Sequence, residues 1–306
     1  MSWISELDKW VGEYLPDLQM LPDEPLRLHS SFRIGGAAKR FALPADSQQL
    51  ILLVSFAREC GARPLLIGNG TNILFPDEGL DRLVISTRDM ADVSCGGNDC
   101  EIAADAGASL AKTAVFACQK GLAGLSFAHG IPGTVGGAMC MNAGAYGGEM
   151  KDVVKSVTML FPEEGIRVLS CEEMDFGYRH SILNEKPDGI VLSAVFALHP
   201  GDPAAIRGEM DALMEKRRAS QPLELPSAGS TFKRPAGYFA GALIQQADCK
   251  GLQVGGAQVS PKHAGFVVNA GGATAKDVRE LIALVQKRVW DTSGVALEPE
   301  VKIIEG

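Results

Sequence analysis

Seven of the nineteen residues at 130–148, GIPGTVGGAMCMNAGAYGG, are glycine. Each glycine costs about 0.5–1 kcal/mol of folding entropy relative to alanine, so the stretch is expected to be neither an ordinary helix nor a strand. It reads as a backbone surface that a ligand presses against, with amides directed at an anion. A second segment at 68–72, Gly-Asn-Gly-Thr-Asn, has the same character. Together the loops point to one large phosphorylated ligand; for 68–72 taken alone, a structural turn is the alternative. In the longer loop Pro132 stiffens the turn, Gly130, Gly133, Gly136 and Gly137 permit close backbone approach, and Asn142 adds amide hydrogen bonding. Two nucleotide-binding patterns are excluded. There is no GxxxxGK followed by Ser or Thr, and Thr-Asn-Ile after Gly70 lacks the helix-packing glycine of GxGxxG.

The loops need elements to position them. A helix is expected over 46–60, with Asp46 or Ser47 as N-cap, Leu50, Ile51, Val54 and Ala57 on one face, and Gly61 closing it. Strands at 63–67 and 82–86 flank the first loop. A helix beginning at Ser109 carries Leu110, Thr113, Ala114 and Cys118, ends at Gly121 and leads into the long loop. Beyond it, 153–160 and 190–198 read as strands. Helices follow at 204–218 and at 274–292, the second with Val278, Leu281, Ile282, Val285 and Val289 inward and Gly294 at its end. A final strand is expected at 296–304. The first thirty residues read as a helix around Ile4, Leu7 and Val11, then a connector through Pro16, Pro22 and Pro25. Helices and strands interleave without strict βαβ periodicity, so the fold class is α+β. A seam falls at 199–203.

The whole chain sets outer bounds. Its 306 residues suffice for two domains or a three-lobed body, and 46% hydrophobic with 22% charged residues is ordinary for a soluble protein. A net charge of −8 argues against nucleic acid as a partner. The basic clusters Lys216-Arg217-Arg218 and Lys233-Arg234 face either an anionic small molecule or solvent. Seven cysteines include no CxxC pair, so no metal site is expected. Cys95 and Cys100 flank a hairpin turn, and most of the others read as buried thiols. Glu6, Asp8 and Lys9 interrupt any leader-like N-terminus, and no apolar run approaches the roughly 18 residues of a membrane span. The expectation is a cytoplasmic protein with no membrane and no obligate protein partner.

Seven motifs then occur in a specific order: RIGG (33–36), GNGTNIL (68–74), GIPGTVGGAMCMNAGAYGGE (130–149), FGYRHS (176–181), AGSTFKRP (228–235), KHAGFVVN (262–269) and LEPEVKIIEG (297–306). In this order they resemble the UDP-N-acetylenolpyruvoylglucosamine reductases, flavoenzymes that complete UDP-N-acetylmuramate synthesis for peptidoglycan. The resemblance covers nearly everything after residue 29. It implies a two-lobed FAD-binding domain of the vanillyl-alcohol-oxidase and p-cresol-methylhydroxylase type at 1–203, with lobes at about 1–90 and 91–203. A smaller α+β substrate-binding domain would follow at 204–296, with the strand at 297–306 packing back on the first domain. Only fifty residues separate Arg179 from Ser230, which resembles the shorter, type II form without a tyrosine-bearing loop. Ser30-Ser31 and Thr71 depart slightly from the family wording but keep its polar chemistry.

The resemblance also implies roles. Gly68, Asn69, Gly70, Thr71 and Asn72, together with Gly130, Ile131, Pro132, Gly133, Thr134, Gly136, Gly137, Asn142, Ala143 and Gly144, would hold noncovalent FAD, with NADPH as electron donor. Hydride added to the enol ether leaves an enediolate-like charge to stabilise and a carbon to protonate. Arg179 would face the carboxylate as a planar fork, Ser230 would give the proton, and a protonated Glu300 would donate a hydrogen bond to the developing charge. Read without the resemblance, Arg179 is a strand-end surface arginine, Ser230 an N-cap before a helix at 238–247, and Glu300 a solvent-facing strand residue. In that strand, His180 would point away from Arg179. Lys233, Arg234 and Lys262 are candidates for the UDP pyrophosphate, and His263 either lies near the substrate or caps a turn; Arg217 is a weaker candidate. Two other functions remain open. One is an oxidase of the same fold with flavin tethered through His129 or Cys140; the other is a non-catalytic sugar-nucleotide or flavin binder.

Overall fold

The computed structural model describes residues 2–306. The chain divides into two compact units. The first comprises the stretch ending at Pro22, Arg40–Asn69 and Arg82–Lys216; the second comprises Asp23–Lys39, Gly70–Asp81 and Arg217–Gly306.

The first unit carries helices α1 (Trp3–Tyr14), α2 (Ser47–Glu59), α3 (Leu110–Gln119), α4 (Val135–Met141) and most of α5 (Pro203–Ser220). Caps explain where they start: Asp46 accepts from the Gln49 amide and Ser109 from that of Lys112. A four-stranded sheet runs in the order Gln19–Pro25, Ala37–Leu43, Leu80–Ser86, Leu65–Ile67. Its last pair is parallel, with Leu65 opposite Val84. Leu7 and Val11 of α1 and Leu50, Leu53, Val54 and Ala57 of α2 share one buried core with Leu83 and Ile85. A five-stranded antiparallel sheet runs Gly165–Ser170, Val154–Phe161, Ile190–Ala197, Glu101–Asp105, Val93–Cys95. The core of this sheet joins Val157, Met159 and Phe196 to Leu110 and Ala114 of α3.

The second unit is built on α6 (Ala240–Gln246), α7 (Ala275–Ser293) and a three-stranded antiparallel sheet of Gln253–Val254, Ala257–Val259 and Val267–Asn269. Val278, Leu281, Ile282, Val285 and Val289 of α7 are all buried, as their spacing predicts. Two carboxylates fix where α7 begins. Asp277 accepts from the Thr274 and Gly256 amides, and Asp77 from those of Ala275 and Lys276.

Four expectations change. Residues 19–25 are a strand rather than a connector; Pro22 is tolerated because this is an edge strand. The chain stays in the first unit past 199–203, because Ile206 and Met210 of α5 bury in the core of the five-stranded sheet. The expected strand at 296–304 contracts to Lys302–Ile303, which pairs in parallel with Ile73–Leu74 of the second unit. The preceding Pro299 has no amide hydrogen for a ladder. Only Cys118 and Cys249 are buried, while Cys95 is exposed.

Candidate functional site

In the first unit the two glycine-rich segments meet. A Cβ on Gly68 would lie 2.2 Å from Thr134 Oγ1, so only glycine permits this approach. Asn69 Nδ2 donates to the Pro132 carbonyl at 3.4 Å. Contrary to the sequence reading, the long loop contains a helix, α4. Its two glycines are kept for packing as well as freedom. The Gly136 amide donates to Ala106 O at 2.7 Å, and a Cβ there would sit 3.1 Å from Ala106 Cβ. Thr134 caps α4 by accepting from the Gly137 amide.

The helix narrows down which amides are left for a ligand. Those of Val135, Gly136 and Gly137 are consumed inside the protein. Among the described residues, the amides of Gly68, Asn69, Gly133 and Thr134 find no protein acceptor. These are four donors without a protein acceptor on two touching loops, next to exposed Asn69 and Pro132, the kind of backbone surface that can hold an anion. This donor set fits the pyrophosphate of FAD.

Asn142 has a different job. It is fully buried in a left-handed conformation (φ 43°) that ends α4. Its Nδ2 donates to Glu149 Oε2 (2.7 Å) and the Gly177 carbonyl (3.0 Å), while Oδ1 accepts from the Lys151 amide (2.9 Å). Its side chain is therefore engaged within the protein and ties the loop to residue 177. Gly130 and Ile131 follow the short turn Ser126–Ala128, and Gly144–Ala145 pairs with Gly148–Glu149 beyond Ala143. Ser126 Oγ and His129 Nδ1 are sealed from solvent without a protein partner.

Arg179 sits in a turn rather than on a strand. The amides and carbonyls of Gly177 and His180 bond each other, leaving Tyr178 and Arg179 at the tip. Arg179 takes φ 54°, a conformation that costs a non-glycine residue about 1–2 kcal/mol. Its guanidinium lies 5.2 Å over the Tyr178 ring. His180 consequently does not simply face away along a strand. Its Nε2 is 3.3 Å from both Asp175 Oδ2 and Glu185 Oε1. No sequence spacing announced that grouping, because only the turn creates it.

In the second unit a different set converges. A Cβ on Gly70 would meet His29 O at 2.0 Å. Asn72 Nδ2 donates to the Glu300 carbonyl at 3.1 Å, and Thr71, between Gly70 and Asn72 in sequence, is half-buried. The Glu300 amide donates to Thr231 O at 2.8 Å, which places half-buried Glu300 beside the segment carrying exposed Ser230. The Thr231 amide in turn donates to Gly265 O. Helix α6 starts only at Ala240, with Phe239 as its cap residue, so Ser230 is not an N-cap.

The basic candidates have protein partners. Lys233 pairs with Glu298, Lys262 Nζ donates to Arg218 O at 2.7 Å, and the Arg234 guanidinium stacks 3.8 Å from the Phe239 ring centre. His263 Nδ1 accepts from the Gly265 amide at 3.1 Å, which makes it the holder of a turn. Burial pushes its pKa below the usual imidazole range.

Residues 38–170 match the FAD binding domain family, which with the four amides lacking a protein acceptor defines this chain as an FAD-binding protein. Residues 221–304 match the UDP-N-acetylenolpyruvoylglucosamine reductase C-terminal domain. The UDP-N-acetylenolpyruvoylglucosamine reductase of Levilactobacillus brevis is 48% identical over 294 residues, 96% of each chain. That of Agathobacter rectalis is 49% identical over 307 residues, 97% of each. The crystal structure of the reductase from Thermus caldophilus matches with a TM-score of 0.79 at 34% identity, covering 94% of this chain and 99% of that one. The chain belongs to the UDP-N-acetylenolpyruvoylglucosamine reductase family. Membership in a reductase family sets aside both the oxidase and the non-catalytic readings. Among the described residues no helix is long and apolar enough to cross a membrane.

Proposed function

We propose that the chain reduces the enolpyruvyl group of UDP-N-acetylenolpyruvoylglucosamine to give UDP-N-acetylmuramate, a cytoplasmic step of peptidoglycan precursor synthesis that needs no obligate protein partner. The observation that carries this reading is the set of four amides without a protein acceptor where Gly68 meets Thr134, in a chain whose near-full-length relatives are these reductases. Bound FAD would supply the redox chemistry that links NADPH to the terminal carbon of the enol ether.

The chain's own residues do the rest. The amides of Gly68, Asn69, Gly133 and Thr134 bind the cofactor's anionic centre, and the surrounding residues of 68–72 and 130–144 shape its bed. Arg179 pairs with the substrate carboxylate and stabilises the charge that accumulates there. The Ser230 hydroxyl gives its proton to the neighbouring carbon, and Glu300 in its protonated form donates a hydrogen bond to the developing charge. Lys233, Arg234 and Lys262 contribute positive charge for the UDP pyrophosphate, and His263 fixes the turn that follows Lys262. The FAD-binding role falls to the N-terminal region of about 1–203 and substrate binding to the C-terminal region.

Incubating the protein with NADPH and the enolpyruvyl nucleotide tests this directly. Mass spectrometry should find a product heavier by two hydrogens, formed one for one with NADPH consumed. NADPH oxidation without that product would refute the reading.

A further inference from the structure

We propose that His180 is a positioning residue for Arg179, acting through a clamp on Asp175 and Glu185; this rests on the reductase reading above. Arg179 at φ 54° and Asp175 at φ 47° are both left-handed without being glycine. Such conformations persist only where the surroundings over-determine them. A turn tip of this kind relaxes unless the residues on both sides of it are pinned.

The side before the tip is pinned by Asn142, whose Nδ2 holds the Gly177 carbonyl at 3.0 Å. Beyond it, Ser181 Oγ donates to the Cys140 carbonyl at 2.9 Å and the Ile182 amide to Met174 O at 2.7 Å. Between these pins stands His180, the residue that directly follows Arg179. Its main chain closes the turn on Gly177, and its half-buried ring places Nε2 3.3 Å from a carboxylate on each flank, Asp175 before the tip and Glu185 after it. The imidazole thus bridges the two ends of the loop that presents Arg179, hydrogen-bonded to Asp175 and, when protonated, ion-paired with Glu185 as well. Without it the backbone pins remain, so the loop still folds, but the guanidinium loses its fixed direction. A displacement of about 1 Å at a charge-stabilising group is enough to cost ~100-fold in rate.

The test separates the two half-reactions in the FAD-loaded protein under anaerobic stopped flow. His180→Ala should be bleached by NADPH at the wild-type rate and keep its melting temperature. Its recolouring by saturating UDP-N-acetylenolpyruvoylglucosamine should slow about ten- to a hundred-fold. His180→Gln, whose amide nitrogen can still donate to the carboxylates but cannot carry charge, should recover part of that rate. Asp175→Asn with Glu185→Gln should slow recolouring similarly, and adding His180→Ala to that pair should cost little more. Asn suits position 175 because it tolerates a left-handed backbone. Unchanged recolouring in His180→Ala would overturn the proposal while leaving the reductase reading intact. So would parallel losses of bleaching, recolouring and melting temperature, which would make His180 merely structural. Wild-type protein that bleaches but never recolours would instead overturn the reductase reading, and this inference with it.

Discussion

The glycine cradle and the Arg179 loop solve the same problem in opposite ways. The cradle needs room beside its backbone, and the loop needs a backbone conformation that ordinary residues avoid. In the cradle the backbone itself is the functional group, so side chains are deleted: Gly68 lies where a Cβ would strike Thr134, and Gly136 where one would crowd Ala106. In the loop the proposed functional group is the Arg179 side chain, held at φ 54° with surrounding hydrogen bonds offsetting the strain.

The comparison predicts effects of opposite sign. Arg179→Gly should lower the rate of substrate reduction about a thousand-fold while raising stability by roughly 0.5–1 kcal/mol, because the strain is relieved. Steady-state kinetics and urea unfolding would check both; a destabilised variant would mean that Arg179 is not strained. Gly68→Ala should do the reverse of stabilising. Its Cβ has no room, so a loss of about 1–3 kcal/mol is expected, together with loss of bound flavin on gel filtration. Retained flavin and full stability would dismantle the cradle. Asn142→Ala removes three hydrogen bonds that join α4 to residues 149–151 and 177. It should cost about 2–3 kcal/mol and slow recolouring more than bleaching.

The smallest effect is one of pH, in the second unit. Burial lowers the pKa of His263, whose Nδ1 accepts from the Gly265 amide only when unprotonated. The unfolded chain then takes up this proton first. Its contribution to stability is complete above the unfolded value, near ~6.5, and declines as pH falls from there through the lowered folded value. Urea midpoints from pH 7.5 down to pH 5 (roughly spanning that reference value) should fall less steeply in His263→Gln than in wild type. Identical slopes would remove His263 from the account.

How much of this could be read in advance differs between the two regions for a physical reason. Caps and apolar period located α2, α3 and α7 to within a residue or two, because Asp46, Ser109, Thr274 and Gly294 act locally. The cradle was legible as composition. Its helix was not, since Gly136 and Gly137 lower helix propensity and only contact with Ala106 makes them useful. The Arg179 turn was misread as a strand, because FGYRHS carries no glycine at the left-handed position. The clamp of Asp175, His180 and Glu185 was invisible for the same reason: its members meet only once the turn has formed. Glu300 beside Thr231 likewise joins segments nearly seventy residues apart.

The central claim is that flavin binding and substrate protonation are carried by different residues. It is tested most directly by Ser230→Ala, loaded with FAD and mixed anaerobically first with NADPH and then with UDP-N-acetylenolpyruvoylglucosamine. The account predicts bleaching at the wild-type rate and recolouring slowed by at least about a hundred-fold. Recolouring at the wild-type rate would contradict it.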